Sequence, residues 1–149
     1  YLKREIEYAA DGCDGDMRFS TITVRLTNTA SPDLQLSPLH GGTTGLDRDI
    51  SVGRLDLNVP LGTMVTSVRV IATKDAKLVS VNIGDKPGLA VFGQERGHPT
   101  FEVQVVIPPG RSGEIVFRLT EPTSPGLPRV PIQPLTDSVS PRISVPECP

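Results

Sequence analysis

Apolar and polar residues alternate along most of this chain, and this repeat of two residues constrains the fold more than any other feature of the sequence. The alternation is clearest in residues 100–107 and 114–119, where the apolar side chains share one parity. Helical spacing is nearly absent, because no window of about a dozen residues keeps apolar positions at i, i+3, i+4 and i+7 without a Pro or Gly. The pattern predicts an all-β fold built from half-buried antiparallel strands.

Shorter alternating runs predict the other strands, which cover residues 2–8, 21–27, 55–59, 64–72 and 79–83. The turn-rich segment 11–16 separates the first two runs and predicts an opening hairpin. Leu89, Val91 and Phe92 follow a turn and are the candidate partner of residues 79–83. About seven or eight short strands without a helix predict a two-layer antiparallel β-sandwich of immunoglobulin-like or fibronectin-like form. The Trp and the Cys spacing of antibody domains are missing, so any such kinship is architectural.

The segment Pro108-Pro109-Gly110 lies between the two clearest strands. Pro fixes φ and Gly accepts a positive φ, so Pro109 and Gly110 suit the second and third positions of a type II turn. We therefore predict that residues 100–107 and 114–119 pair with each other as an antiparallel hairpin.

The length of 149 residues is that of one domain, and an apolar content of 37% is enough for one sizeable core. We divide the chain into a β-sandwich domain at residues 1–121 and a Pro-rich tail at residues 122–149, which form a single structural domain. The chain begins at Tyr1, already inside a predicted strand. We therefore expect it to be a fragment or a processed form of a longer protein.

Eight of the 15 Pro residues lie in the last 29 positions, and five of them recur at every third residue from Pro122 to Pro134. A polyproline II helix has three residues per turn, so these prolines would line one edge of it and suit a groove that recognises such helices. The interpretation that we prefer is an extended tail along the sandwich. Its apolar anchors would be Val130, Ile132 and Leu135.

Charge excludes some classes of partner. The chain has 15 Lys and Arg against 17 Asp and Glu, a net charge of −2, and no cluster of basic residues, so we expect no nucleic-acid partner. No stretch approaches the roughly 20 apolar residues that span a bilayer, so we expect no membrane contact within this fragment.

Cys13 and Cys148 lie near the two ends of the chain, and domain termini are often close in space. We predict that they form a disulfide, which would close a loop of about 135 residues and stabilise the fold by up to about 5 kcal/mol. Such a bond implies an extracytoplasmic compartment. The alternative is two unrelated free thiols in a cytosolic protein.

Residues 28–50 are rich in Asn, Ser, Pro, Asp, Gly and Thr, which predicts a long surface loop. Rigid sandwiches usually bind through loops, so residues 32–49 are the candidate contact region. The absence of Trp, with both Tyr residues in the first eight positions, favours a protein partner over a glycan. The candidate contact residues are Asp33, His40, Gly41, Gly42, Asp47 and Arg48.

Two groups of residues have the chemical character of a site. Asp11, Asp14 and Asp16 offer the oxygen ligands that calcium prefers, but the bidentate Glu of an EF-hand is missing, and a plain hairpin turn is the preferred interpretation. His98 lies in a polar turn and could pair with Glu95 or with a distant carboxylate.

The segment His40-Gly41-Gly42 is like an esterase oxyanion loop, but the chain contains no G-x-S-x-G motif. Walker, dinucleotide-binding and zinc motifs are missing as well. We therefore expect no enzymatic activity, no cofactor and no metal site.

Several segments carry a family resemblance: Ser20–Thr29, Glu95–His98, Val106–Gly110, Pro128–Leu135 and the Cys near each end. With these segments the chain resembles the C-terminal region of a family of large actinobacterial cell-envelope proteins of unknown function. The resemblance implies a parent with an N-terminal membrane helix and a large extracytoplasmic region that ends in this domain. Part of that region is distantly similar to LytR-CpsA-Psr proteins, which attach glycopolymers to the cell wall. No catalytic residue carries over to this chain.

These observations predict a non-catalytic extracytoplasmic module that acts as a spacer or as a contact surface. Its expected partners are the remainder of the parent protein and an envelope protein or glycan. The alternative is an accessory domain packed on an upstream catalytic domain that handles glycopolymers. An accessory domain should expose an apolar patch larger than that of an ordinary monomer, and a spacer should not.

Overall fold

A computed structural model of the chain describes residues 1–31, 60 and 62–149. The predicted all-β class is confirmed, because these ranges contain strands and no helix. The predicted strand at residues 55–59, most of the predicted long loop and all six candidate contact residues lie outside the described residues. The described strands are β1 (Leu2–Ala10), β2 (Met17–Asn28), β3 (Met64–Ile71), β4 (Lys77–Ile83), β5 (Lys86–Pro87), β6 (Val91–Glu95), β7 (His98–Ile107), β8 (Ser112–Pro122) and β9 (Arg142–Ser144).

The described strands form two sheets. The larger sheet has the order β5-β4-β8-β2-β1-β9, and the smaller sheet has the order β3-β7-β6. Neighbouring strands are antiparallel, except that β9 runs parallel to β1. Both sheets contribute apolar side chains to one core, which is the arrangement of a two-layer β-sandwich.

The predicted opening hairpin is confirmed. β1 pairs with β2 along the whole length of β1, from Leu2 opposite Asn28 to Ala10 opposite Ser20. Beyond this ladder, Asp14 and Met17 exchange two backbone hydrogen bonds across a two-residue turn. Gly15 occupies the first turn position with a φ of 59°, which Gly adopts without steric cost.

The predicted hairpin between residues 100–107 and 114–119 is wrong in its pairing. The turn itself is as predicted: the Arg111 N–H donates to the Pro108 carbonyl at 3.1 Å, and Gly110 has a φ of 68°. However, β7 pairs with β3 and β6, whereas β8 pairs with β2 and β4. The turn therefore carries the chain from one sheet to the other. Alternation identifies the buried face of a strand, but it does not say whether the next strand lies beside that strand or opposite it.

β4 departs from the predicted alternation at a β-bulge. The pairing register with β8 shifts between Leu78 and Ser80, so the extra residue, Val79, is left outside the ladder. Val79 is consequently exposed, although the alternation places it on the same face as Val81. The bulge restores the inward direction for Val81, which is buried in the core.

The predicted partner of β4 is also wrong. β4 forms its short hairpin with β5, and Val91 and Phe92 belong to β6, which pairs with β7 in the smaller sheet. Leu89 lies between these strands and is 93% exposed. The turn between β4 and β5 contains Gly84 with a φ of 60°, and β5 is only two residues long.

The C-terminal tail contacts β1 from two sides. Arg4 has the same parity as the core-facing Tyr8, and its guanidinium binds the Asp137 carboxylate through Nε and Nη2 and the Gln133 carbonyl through Nη1. The hydrogen bond from Arg4 lowers the pKa of Asp137. Further along, β9 pairs with the outer edge of β1, with Ile143 opposite Tyr8. Of the predicted anchors, Val130 and Ile132 are half-buried and Leu135 is exposed.

Asn28, the last residue of β2, joins both sheets at one end of the sandwich. Its side chain is 1% exposed and donates to the carbonyls of Gly62 and Ile107 at 2.9 and 3.0 Å, and it accepts from the Ala30 N–H at 3.1 Å. Its backbone exchanges hydrogen bonds with the turn after β7, at Gly110 and Arg111. A buried amide with every polar atom satisfied thus fixes the crossing between the sheets.

We expect Phe117→Ala to lower the free energy of unfolding by about 3–5 kcal/mol, because the ring is fully buried between the two sheets. Chemical denaturation at equilibrium measures the change. His98→Ala serves as the control and should cost less than about 1 kcal/mol, since this side chain is exposed. Equal losses in the two variants would contradict the assignment of the core.

Candidate functional site

The predicted disulfide is confirmed: Cys13 and Cys148 are bonded, with their Cα atoms 5.8 Å apart and a sequence separation of 135 residues. Cys13 lies in the exposed turn between β1 and β2, and Cys148 is buried. The bond therefore ties the end of the tail to the opening hairpin.

A polar cluster around the buried Glu121 carboxylate lies beside this disulfide; it consists of Tyr8, Arg18, Thr73 and Glu121. The Glu121 carboxylate is 2% exposed and accepts from the Tyr8 hydroxyl and from Arg18 Nε at 3.1 Å through Oε1. Its Oε2 accepts from the Thr73 hydroxyl at 3.1 Å. Arg18 Nη2 also donates to the Tyr8 oxygen at 3.2 Å.

Strand register positions the charged members of the polar cluster. Arg18 on β2 lies directly opposite Glu121 on β8, so the cation and the anion form a cross-strand pair on the core side of the larger sheet. Burying a carboxylate this deeply is costly unless an opposite charge and hydrogen bonds accompany it. The cluster supplies both, and it closes the end of the core where the apolar ladder stops.

The tail covers the same cluster. Arg18 Nη1 donates to the Pro146 carbonyl at 3.4 Å and lies 3.9 Å from Cys148 Sγ. Burial raises the pKa of Tyr8 to about 12, and the hydrogen bond to Glu121 adds to this rise. The Tyr8 hydroxyl therefore keeps its proton at neutral pH and acts as a hydrogen-bond donor. The hydrogen-bond partners of these groups belong to this chain, which is typical of a cluster that stabilises the fold.

The residues that could carry chemistry do not converge on a catalytic or metal site in the described ranges. His98 Nδ1 donates to the Ala72 carbonyl at 2.9 Å, and Glu95 faces His98 across the turn between β6 and β7. Asp14 closes the first hairpin through its backbone. Within the part of the chain that the structure describes, no group of three or more His, Cys, Asp or Glu residues could hold a metal ion.

An exposed sheet edge is the other distinctive feature. Every residue of β6 is exposed, and among the described strands β6 pairs with β7 alone. Val91 is 71% and Phe92 is 68% exposed, and Leu89, two residues before β6, is 93% exposed. We call Leu89, Val91 and Phe92 the apolar edge.

A groove with a volume of 520 Å³ runs beside the apolar edge, between β4 and β6. The Phe92 ring lines it and packs edge-on against Phe101, with the ring centroids 5.5 Å apart. The groove lies between the two sheets, because its lining comes from β4 in the larger sheet and from β6 and β7 in the smaller sheet. Its lining includes Ala76, Lys77, Leu78, Phe92, Gln94 and Phe101.

The sequence pattern predicts Leu89, Val91 and Phe92 only as the candidate partner of residues 79–83, so the apolar edge was missed. Apolar parity does not distinguish a covered strand from an uncovered one. The polar cluster was missed too, because Arg18 and Glu121 lie two or three residues outside the predicted strands 21–27 and 114–119.

No protein-family model, no curated protein and no solved structure matches this chain. In the described ranges, no helix has the length and apolar character needed to cross a membrane.

We expect Arg18→Met to lower the free energy of unfolding by about 3–5 kcal/mol, because Glu121 would remain buried without its cation. The double variant Arg18→Met/Glu121→Leu should lose less than Arg18→Met alone, since it removes both charges. Equilibrium denaturation of Arg18→Met, Glu121→Leu and the double variant measures the coupling between the two residues.

A matched control lies on the same two strands. Arg25 pairs with Glu114 across β2 and β8, but both side chains are exposed. Arg25→Met should therefore lower the free energy of unfolding much less than Arg18→Met does. Additive losses at Arg18 and Glu121, or a loss at Arg25 as large as that at Arg18, would overturn the assigned role of the cluster.

Proposed function

We propose that this chain is a non-catalytic, extracytoplasmic β-sandwich module of a larger cell-envelope protein and that it provides a contact surface for another polypeptide. The observation that carries the proposal is the apolar edge with its groove. Exposed apolar residues that cluster beside a groove are typical of interaction surfaces, whereas a spacer has no need of them. The missing aromatic platform favours a protein over a glycan as the partner.

The disulfide supports the extracytoplasmic part of the proposal. Disulfides persist in oxidising compartments and are rare in the cytosol. The assignment to the cell envelope, with a membrane-anchored parent, is based on the resemblance to actinobacterial envelope proteins. The proposal also includes an immunoglobulin-like or fibronectin-like architecture, which two sheets around one core support.

The absence of catalysis is part of the proposal as well. His98 forms a hydrogen bond to a backbone carbonyl, and both carboxylate oxygens of Glu121 accept hydrogen bonds from side chains of the same cluster. Neither group has the arrangement of a general base beside a nucleophile.

A second candidate function uses the same surface. The chain would be an accessory domain whose apolar edge packs on an upstream, glycopolymer-handling domain of the parent. The exposed Phe92 and Val91 favour both candidates equally over a spacer. They differ in whether the partner belongs to the same polypeptide.

Protein isolated from its native compartment should have no reactive thiol under denaturing conditions before reduction, and two after reduction. A thiol-specific reagent with mass detection measures the number. Two reactive thiols before reduction would contradict the extracytoplasmic assignment, because Cys13 and Cys148 would then not be oxidised where the protein resides.

A photo-crosslinking amino acid placed at Val91 in the native parent should form covalent adducts, because the apolar edge is expected to contact a polypeptide. The same amino acid placed at Lys3, which is exposed on β1, is the control and should form none. An adduct within the parent chain favours the accessory domain, and an adduct with a second protein favours a separate partner. No adduct at either position would contradict the contact function and favour a spacer.

A further inference from the structure

We infer that the outer edge of β6, which is free of any other described strand, accepts an extended peptide strand, and that this peptide carries an apolar side chain for the groove and an acidic side chain for Lys77. The inference rests on the proposed contact function and specifies the partner of the same surface. Adding a strand to a sheet edge satisfies main-chain groups and places alternate side chains in neighbouring pockets.

The edges of the described sheets differ in how they are protected. β5 consists of Lys86 and Pro87, and β9 has three residues between Pro141 and Pro146. β3 carries Arg69, and its first three residues are half-buried. Short length, charged side chains, Pro and a covering segment are the usual protection of an edge against an added strand. β6 has five exposed residues without Pro, and its one charge, Glu95, lies at its end, so among the described strands it is the edge best suited to receive one.

The backbone of β6 points in the required direction. The Ala72 N–H donates to the Pro99 carbonyl, so this carbonyl faces β3 rather than β6. Gln94 lies opposite Pro99 and therefore forms a non-hydrogen-bonded pair with it. The N–H and C=O groups of Gln94, and those of Phe92 two residues earlier, consequently point away from β7 toward the free edge.

The groove determines which side chains fit. Phe92 has the parity that faces the groove, so a strand beside β6 would direct every second side chain into the same space. A volume of 520 Å³ lies within the usual range of ligand sites, roughly 300–1,000 Å³, and accommodates apolar side chains between Leu78 and Phe101.

Charge determines the rest of the recognition. Lys77 is the one charged residue in the described lining of the groove. The ion pairs of the described residues use other cations, so Lys77 has no acidic partner in this part of the chain. An acidic side chain on the added strand would complement it.

The test uses two capped eight-residue peptides, one of alternating valine and glutamate and one of alternating valine and lysine. NMR titration of the whole chain measures the dissociation constants and maps the affected amides. The valine–glutamate peptide should shift the amide signals of Phe92 and Gln94 and bind at least about tenfold more tightly than the valine–lysine peptide. Lys77→Glu should reverse this preference.

The decisive variant is Gln94→Pro, which removes one outward N–H without removing a hydrogen bond to β7. It should weaken binding of the valine–glutamate peptide at least about tenfold, whereas the matched variant Gln94→Ala keeps the N–H and should bind within about twofold of the original chain. Equal binding of both peptides, no binding, or shifts confined to other strands would overturn the inference.

Light scattering identifies the competing occupant. A dimer that Gln94→Pro dissociates would mean that a second copy of this chain occupies the edge, which overturns the inference of a foreign peptide. The crosslinking at Val91 separates this failure from a failure of the proposed function. If adducts form at Val91 but the peptide does not bind, the contact function stands and strand addition fails; if both are absent, both fail.

Discussion

The contact between the apolar faces of β7 and β8 determines the rest of this fold. Phe101, Val103 and Ile107 on one side meet Ile115 and Phe117 on the other, and all are almost completely buried. Strands of one sheet lie side by side, so the apolar faces of β7 and β8 can meet only because the two strands lie in different sheets. Every other described strand then extends one of them: β3 and β6 flank β7, whereas β2 and β4 flank β8. β6 is left as an edge as a consequence of this division.

The polar cluster and the disulfide stabilise the end of this core, where charged side chains point inward. The ladder between β2 and β8 continues beyond the last apolar pair to Arg18 and Glu121, whose side chains still point inward. Charges in that position are tolerated because each carboxylate oxygen accepts hydrogen bonds from a neighbour, and the tail covers them. The Cys13–Cys148 bond keeps the cover in place by holding the tail against the first hairpin. Stability of the cluster and attachment of the tail therefore depend on each other.

The sequence specifies local features more fully than it specifies partners. Alternation locates most described strands and their buried faces, Pro109 and Gly110 predict the turn, and two terminal Cys residues predict the disulfide. The alternation does not reveal that β7 and β8 lie in different sheets. A hairpin within one sheet and a crossing between two sheets would bury the same residues. The sequence also hides the bulge at Val79, because Val79, Val81 and Ile83 alternate regularly even though Val79 lies outside the ladder. The immunoglobulin-like or fibronectin-like topology stays a prediction. Constant-type immunoglobulin domains place their last strand in the smaller sheet, whereas the last described strand, β9, and β8 before it both lie in the larger sheet here.

The two sides of the sandwich differ in a way that bears on binding. On the side of β1, β9, the Arg4–Asp137 pair and the disulfide hold the tail against the sheet. On the side of β6, backbone groups and apolar side chains face solvent, yet the strand is held in register by β7 and by the contact of Phe92 with Phe101. A rigid edge loses little conformational entropy when a peptide binds, so the cost of ordering falls on the peptide. Affinity at this edge should therefore depend mainly on how readily the partner adopts an extended conformation.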